Sequence, residues 1–227
     1  MTDGVMAVWG DVAPAAEAEF NEWYFRQHVP ERVGVAGWRV GRRFKKIGRG
    51  KHRYLAVYDV DGPDSFAHPL YRQSLDNPTE WTQRMMPAFR NFIRAACRVR
   101  LAVGEVAGGM IATVRYSPPE AAREPIARWL GGDALHGLRE HPGITRLQLW
   151  EADRGQSLVA TKEQAIRTGA DGEAPFTAVI EGTDRAAVAA ALAASGIEGG
   201  LVERGAGDIQ TGLYQLLFSL TGPHQAG

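Results

Sequence analysis

The chain has one cysteine, Cys97, in 227 residues. No intrachain disulfide can form, which fits a reducing compartment. It has no excess of either charge, with 26 Lys and Arg against 26 Asp and Glu. A net charge of zero gives no global electrostatic reason to bind nucleic acid or an anionic membrane. No run approaches the roughly 18 apolar residues of a membrane span. Met1 is followed by Thr-Asp-Gly, without the basic and apolar regions of a secretory signal. The expectation is a cytoplasmic protein with no nucleic-acid or membrane partner.

Recognisable ligand sets are also missing. The histidines stand at 28, 52, 68, 136, 141 and 224, with no HxxxH, HxH or two-His-one-carboxylate spacing. No metal is expected. No G-x-G-x-x-G opens a helix and no P-loop occurs, so no nucleotide cofactor is expected. Nothing suggests a Ser-His-Asp triad. Cys97 reads as a buried small hydrophobe in a strand.

What is present is enough material for a sizeable core. Apolar residues make up 44% and charged residues 23%, and a chain this long buries roughly 70% of its unfolded surface. GVMAVW (4–9) reads as a strand. A helix follows from Pro14, with Phe20, Trp23, Tyr24, Gln27 and His28 on one face, and Pro30 predicts its end near His28 or Val29. Trp38 to Ile47 and Tyr54 to Val60 read as a hairpin around Gly48-Arg49-Gly50. Pro63 to Leu75 reads as a helix. Thr79 caps another, carrying Trp81, Met85, Phe89 and Phe92 with a kink at Pro87. Cys97 to Val103 closes the set as a strand.

The second half repeats this order. Met110 to Tyr116 is a strand, and 119–140 is helical with an interruption at Gly131-Gly132. Ile144 to Glu151 and Phe176 to Glu181 are strands, Asp184 caps an alanine-rich helix, and Leu213 to Leu220 is the last strand. Residues 153–174 and 196–210 read as loops. Each half is βαββαβ, the ferredoxin-like split unit. A sheet with helices on one face leaves its other face bare, and two such faces in tandem close into a barrel that also protects the edges. The predicted fold class is α+β: tandem ferredoxin-like halves, 1–106 and 107–227, forming an intramolecular barrel with helices outside.

The densest chemistry is FNEWYFRQHVPE followed by GWRVGRRF. These residues resemble the EthD-like branch of the dimeric α+β barrel superfamily, with its aromatic first helix ending in histidine, a nearby proline and a strand after a glycine turn. HPLYRQSLDNPTEWTQRMMPAF is also similar to bacterial members of that group. The likeness covers residues 4–100, and the second half matches only in fold pattern. It implies a small-molecule pocket lined by aromatics and a few polar groups. It also implies chemistry ranging over cofactor-free oxygenation, cyclisation, isomerisation, dehydration and decarboxylation, and some relatives bind haem. The fold does not choose among these.

His28 is the first candidate catalytic residue, since an imidazole can both take and give a proton. The bland reading is a helix-end residue bonding the last carbonyls. Tyr24, one turn earlier, could bind a substrate carbonyl or orient the imidazole, or simply pack. Arg42 shares a strand face with Trp38, Val40 and Phe44, where it would need an anionic partner, either a carboxylate or a substrate oxyanion; Arg43 takes that place if the register is opposite, and the bland reading is a solvated basic strand. Trp9, Trp23, Trp38, Tyr58, Trp81 and Met85 are the candidate substrate wall, each with core packing as its alternative. His68 reads as a surface group.

The expected function is a cofactor-independent enzyme of lyase or isomerase type. It would act by proton transfer on a small, apolar, oxygenated or aromatic molecule, with His28 as general acid/base. The alternatives are a cofactor-free monooxygenase and a non-catalytic ligand-binding or stress-related barrel. A homodimer is left open.

Overall fold

The computed structural model describes residues 3–167 and 169–223. Eight strands form one closed antiparallel barrel: β1 (Gly4–Val12), β2 (Trp38–Lys46), β3 (Tyr54–Val60), β4 (Phe89–Val103), β5 (Met110–Ser117), β6 (Ile144–Ala152), β7 (Phe176–Gly182) and β8 (Gly207–Thr221). Their order around the barrel is β1-β3-β2-β8-β5-β7-β6-β4. Within it β4-β1-β3-β2 and β8-β5-β7-β6 are two ferredoxin-like sheets. They join edge to edge through β2–β8 and β4–β6, so neither sheet keeps a free edge.

Both faces of these strands are covered, which is why GVMAVW reads as a continuous apolar run. Val5, Ala7 and Trp9 point into the barrel, where they meet Phe44, Leu55, Val57, Ile93 and Trp150. Met6 and Val8 point outward, against the helices.

The helical layer of the first half contains α1 (Glu17–Trp23), α2 (Val29–Val33), α3 (Pro69–Asp76) and α4 (Glu80–Met85). That of the second contains α5 (Arg123–Trp129), α8 (Arg185–Ser195) and α9 (Ile197–Glu203). Two short helices, α6 (Arg154–Ser157) and α7 (Lys162–Ile166), lie between β6 and β7.

Several boundaries depart from the sequence expectation. The first helix does not stop before Pro30. A π-helical turn, Tyr24–His28, joins α1 to α2, and the Val29 N–H donates to the Tyr24 carbonyl. That widened turn accommodates a proline that has no N–H and would otherwise crowd the preceding turn. Pro87 does not kink a helix through Phe92. The chain leaves α4 by a short 3-10 turn, Met86–Ala88, and is already extended at Phe89. The stretch 196–210 is not a loop but α9 and the start of β8. Residues 185–203 have the length and composition to cross a bilayer, contrary to the expectation that no segment does. Here Gly196, at φ +60°, divides them into two helices. Val188, Ala191, Ile197 and Leu201 pack into the second half's apolar core.

The most consequential difference is in β2. Trp38 pairs with Val60, but Val40 pairs with Asp59. The irregularity between them inserts one residue and exchanges the faces. Trp38 shares the helix side with Gly41 and Arg43, while Arg42 and Phe44 enter the barrel.

Candidate active site

The first helix exists as an amphipathic element because Phe20, Trp23 and Tyr24 bury against the sheet. His28 closes the π turn on that same buried side and is 8% exposed. Its ring lies 4.3 Å from Trp23 and 4.9 Å from Tyr24, centroid to centroid. Because the helix continues through Pro30, Arg32 follows one turn later on the same side.

These residues meet a cavity between the first half's sheet and helices. Met6, Val8, Phe89 and Phe92 form its apolar wall; Tyr24, His28, Arg32, Trp38, Tyr58 and Tyr71 supply aromatic and polar lining. The cavity volume is about 40 Å³. That leaves room for little more than water, and a haem macrocycle does not fit among these side chains as they stand. Among the described residues, no group of three or more His, Cys, Asp or Glu side chains could hold a metal ion.

The second half covers part of the cavity. The connection between β6 and β7 crosses onto the first half and contributes Ser157, Val159, Thr161, Glu163, Arg167 and Asp171 to the lining. Arg32 donates to Glu163 Oε1 at 2.6 Å, with both side chains buried, and also to Ser74. Arg94 donates to the Tyr71 hydroxyl at 2.9 Å and to the carbonyls of Gln156 and Ser157. The site is therefore composite in sequence although it sits over one sheet.

Its electrostatics favour a neutral imidazole and a bound anion. Burial lowers the His28 pKa well below the usual histidine value, and the charges of Arg32 and Arg43 lower it further. Its Nδ1 is buried without a hydrogen-bond partner, as is the Tyr58 hydroxyl. Burial also raises the Tyr58 pKa well above the usual phenol value, and raises that of Tyr24. For Arg32, burial acts to lower the pKa, but Glu163 overcomes it and the guanidinium stays above its ordinary value. Arg43 is different. It is 2% exposed and stacks 3.6 Å from the Tyr24 ring centroid and 4.3 Å from that of Tyr54. Its Nε and Nη2 have no hydrogen-bond partner, and no carboxylate pairs with it among the described residues. Burial lowers its pKa.

Of the residues singled out from sequence, Tyr24, His28, Trp38 and Tyr58 line this cavity. Trp23 does not: it stacks on His28 and donates its indole N–H to Thr82 at 3.2 Å. Met85 and Trp81 pack into the core behind the lining, and Met86 is the methionine that reaches the cavity. Two placements are corrected. Trp9 lies on the barrel side of β1, across the sheet from His28. Arg42 lies in the barrel, donating to Glu181 at 2.7 Å and lying 3.3 Å from Asp59. Arg43, the opposite-register candidate, is the arginine beside Tyr24. His68 caps α3, its Nδ1 accepting from the Leu70 N–H. Sequence reasoning missed Arg32, Tyr71 and Glu163. The signal for Arg32 was its spacing of four from His28, hidden by the assumption that Pro30 ends the helix.

No protein-family model matches the chain, and a search of curated proteins finds no match. Solved structures do match over nearly the whole length. An anthrone oxidase-like protein aligns with a TM-score of 0.68 at 12% identity, covering 99% of this chain and 94% of its own. A candidate monooxygenase from Fusobacterium nucleatum gives 0.59 at 13% identity, covering 97% and 95%. An uncharacterised ferredoxin-fold protein from Listeria monocytogenes, related to antibiotic biosynthesis monooxygenases, gives 0.52 at 12%, covering 95% of each chain. The chain has the dimeric α+β barrel fold. In this barrel one polypeptide supplies both halves. A major regulator of staphylococcal pathogenesis shares the same architecture at TM-score 0.50 and 8% identity, covering 94% of this chain and 99% of its own. The barrel by itself does not decide function.

Proposed function

We propose that the chain is an enzyme of the EthD-like kind that removes a proton from a small, apolar, oxygenated or aromatic molecule, with His28 as the base. The observation that carries this reading is the pairing, in the lining of one small cavity, of a neutral imidazole with an unpartnered Nδ1 and a phenol, Tyr58, with an unpartnered hydroxyl. Buried polar groups are ordinarily satisfied, so two lining residues that each carry an unpartnered polar atom are suited to a polar ligand.

In this reading an acidic C–H or O–H of the substrate transfers its proton to the imidazole. The bonding pair stays on the substrate as an enolate or phenolate. The Tyr58 hydroxyl and Arg32 donate to the developing oxyanion, and the unpaired charge of Arg43, behind Tyr24, favours negative charge in the cavity. Burial is the main cause of the lowered His28 pKa, and the Arg32 and Arg43 charges that lower it further also stabilise the anion it creates. The developing oxyanion offsets those two charges as the ring takes the proton. The imidazolium then returns its proton to another carbon, giving isomerisation, or to a departing hydroxyl, giving dehydration.

The test is solvent-deuterium incorporation into a panel of enolisable aryl ketones and polycyclic phenols, followed by NMR, with oxygen uptake monitored in parallel. Wild type should exchange at least one class, and folded His28→Gln should slow by about 100- to 10,000-fold. Oxygen consumption coupled to substrate loss would move the chemistry after proton removal to cofactor-free oxygenation. Exchange unaffected by His28→Gln would reject the base.

A further inference from the structure

A second polar site lies at the mouth of the barrel, on the side of the sheet that faces away from His28. The ends of β1, β3, β5, β7 and β8 converge there. The polar lining of the cleft is Lys51, His52, Arg115, Ser117 and Gln210, with the carboxylates of Glu173 and Asp208 also on its wall, and its volume is about 420 Å³. Arg115 is at its inner end, 6% exposed. No carboxylate pairs with it among the described residues. Its guanidinium instead donates from Nη2 to His52 Nδ1 at 3.0 Å and lies 4.9 Å from the Trp9 ring centroid.

A guanidinium this deeply buried without a counter-charge is unfavourable. Burial does lower the Arg115 pKa, but an arginine keeps its proton. The side chains around it are donors left over. Thr177 stands directly across β7 from Arg115 and Gln210 directly across β8. Thr177 Oγ1 and Trp9 Nε1 are buried without hydrogen-bond partners. The acidic groups nearby are engaged or peripheral. Asp11 accepts from the Arg53 N–H and from Asn91, Glu173 pairs with Arg154 at 3.3 Å, and Asp208 is exposed on the rim.

We infer that the barrel mouth binds a small oxyanion, a carboxylate or a phosphate, on Arg115 with His52, Gln210 and Thr177 around it. A planar or tetrahedral oxyanion matches the guanidinium fork, and the cleft is open enough to admit one. This site is separate from the cavity proposed for catalysis, and neither depends on the other.

The test uses inorganic phosphate and benzoate as probes, each titrated by calorimetry at constant ionic strength against chloride. Wild type should bind one of them saturably in the millimolar range or tighter, and the stronger probe identifies which oxyanion the site takes. Arg115→Met should fold at least as well as wild type, since it removes an uncompensated buried charge, and should bind at least about tenfold more weakly. A second readout needs no variant. The His52 pKa, held at about 4 by burial and by Arg115, with Lys51 adding and Asp11 opposing, should rise when the probe binds beside it, seen by NMR of the ring. Absence of saturable binding by both probes, or binding that Arg115→Met leaves unchanged, or an unmoved His52 titration at saturating probe, would overturn the assignment.

Discussion

The two halves of this barrel share a strand order and even a local irregularity, yet their helix-facing interiors differ in kind. The first half has a π-helical turn at Tyr24–His28 and the second at Leu130–Ala134. The first residue of each turn is Tyr24 in one and Leu130 in the other; the last is His28 in one and Ala134 in the other. On the sheets, Tyr58 and Arg43 occupy the ladder positions that Ile180 and Leu149 occupy in the second half. These four polar residues of the first half thus have aliphatic counterparts, and the second layer is an apolar core that includes Leu130, Leu135, Leu138, Leu147, Leu149 and Ile180. The π turn accompanies the fold in both halves, with or without polar chemistry, so it does not by itself mark a site. The substitutions around it do.

The largest effect expected from breaking this pseudo-symmetry lies inside the barrel. Asp59 and Glu181 hold equivalent ladder positions. Only Glu181 is fully engaged, accepting from Arg42 at 2.7 Å, from Arg146 at 2.6 Å and from the Gly108 N–H at 2.9 Å. Asp59 has contacts of 3.3 and 3.6 Å and an unpartnered Oδ1. Glu181→Gln should cost about 3–5 kcal/mol in urea unfolding, and Asp59→Asn markedly less. Burial acts to raise the Glu181 pKa, but Arg42 and Arg146 overcome it and hold it below the ordinary value of 4.5. Its contribution is therefore present above pH 4.5 and lost as pH falls through the folded-state pKa. An acid limb of equal steepness in Glu181→Gln would contradict this.

Next in size is the exchange of roles between the two turns. Leu130→Ala should cost about 2–5 kcal/mol of stability and leave the chemistry of the first site intact. Tyr24→Phe should change stability by under about 1 kcal/mol while slowing turnover. If both variants affect only stability, the first half is as purely structural as the second.

A smaller effect separates the halves by pH. His28 is neutral in the fold because burial disfavours its charge. The unfolded chain binds that proton more readily, so stability is full above pH 6.5 and falls as pH drops below it, by about 1 kcal/mol per pH unit. His52 adds a similar slope down to about pH 4. Thermal scans from pH 7 to 5 should show His28→Gln with a shallower decline than wild type. The smallest stability effect belongs to Tyr58→Phe. Losing an unpartnered buried hydroxyl should shift unfolding by no more than about 1 kcal/mol in either direction, while turnover drops tenfold or more if the hydroxyl binds the oxyanion.

The barrel was legible because its evidence is repeated along the chain. Alternating apolar strands, punctuated by Gly and Pro, occur twice in the same order, and only a closed arrangement buries both faces of GVMAVW. Tyr24 and His28 were legible from helical spacing. The rest depended on features that local patterns do not carry. One inserted residue near Arg39 moved Arg42 into the barrel and Arg43 toward the helices. A π turn let the helix run through Pro30 and brought Arg32 beside His28. Glu163 is 131 residues from Arg32 in sequence and reaches it only because β6 pairs with β4, which carries the following connection over the first half. Trp9 alternates correctly along β1, but a period of two does not say which face is the barrel.

The most direct test of His28 as the base is the protonation state of its ring, read by nitrogen NMR on selectively labelled protein at pH 7. The free protein should show a neutral imidazole. When a phenol binds in the first-half cavity the ring signals should shift, as a ring nitrogen accepts from the ligand hydroxyl, and Arg115→Met should leave that shift intact. A ring that is already imidazolium in the free protein, or one whose signals do not move at saturating phenol, would contradict the account.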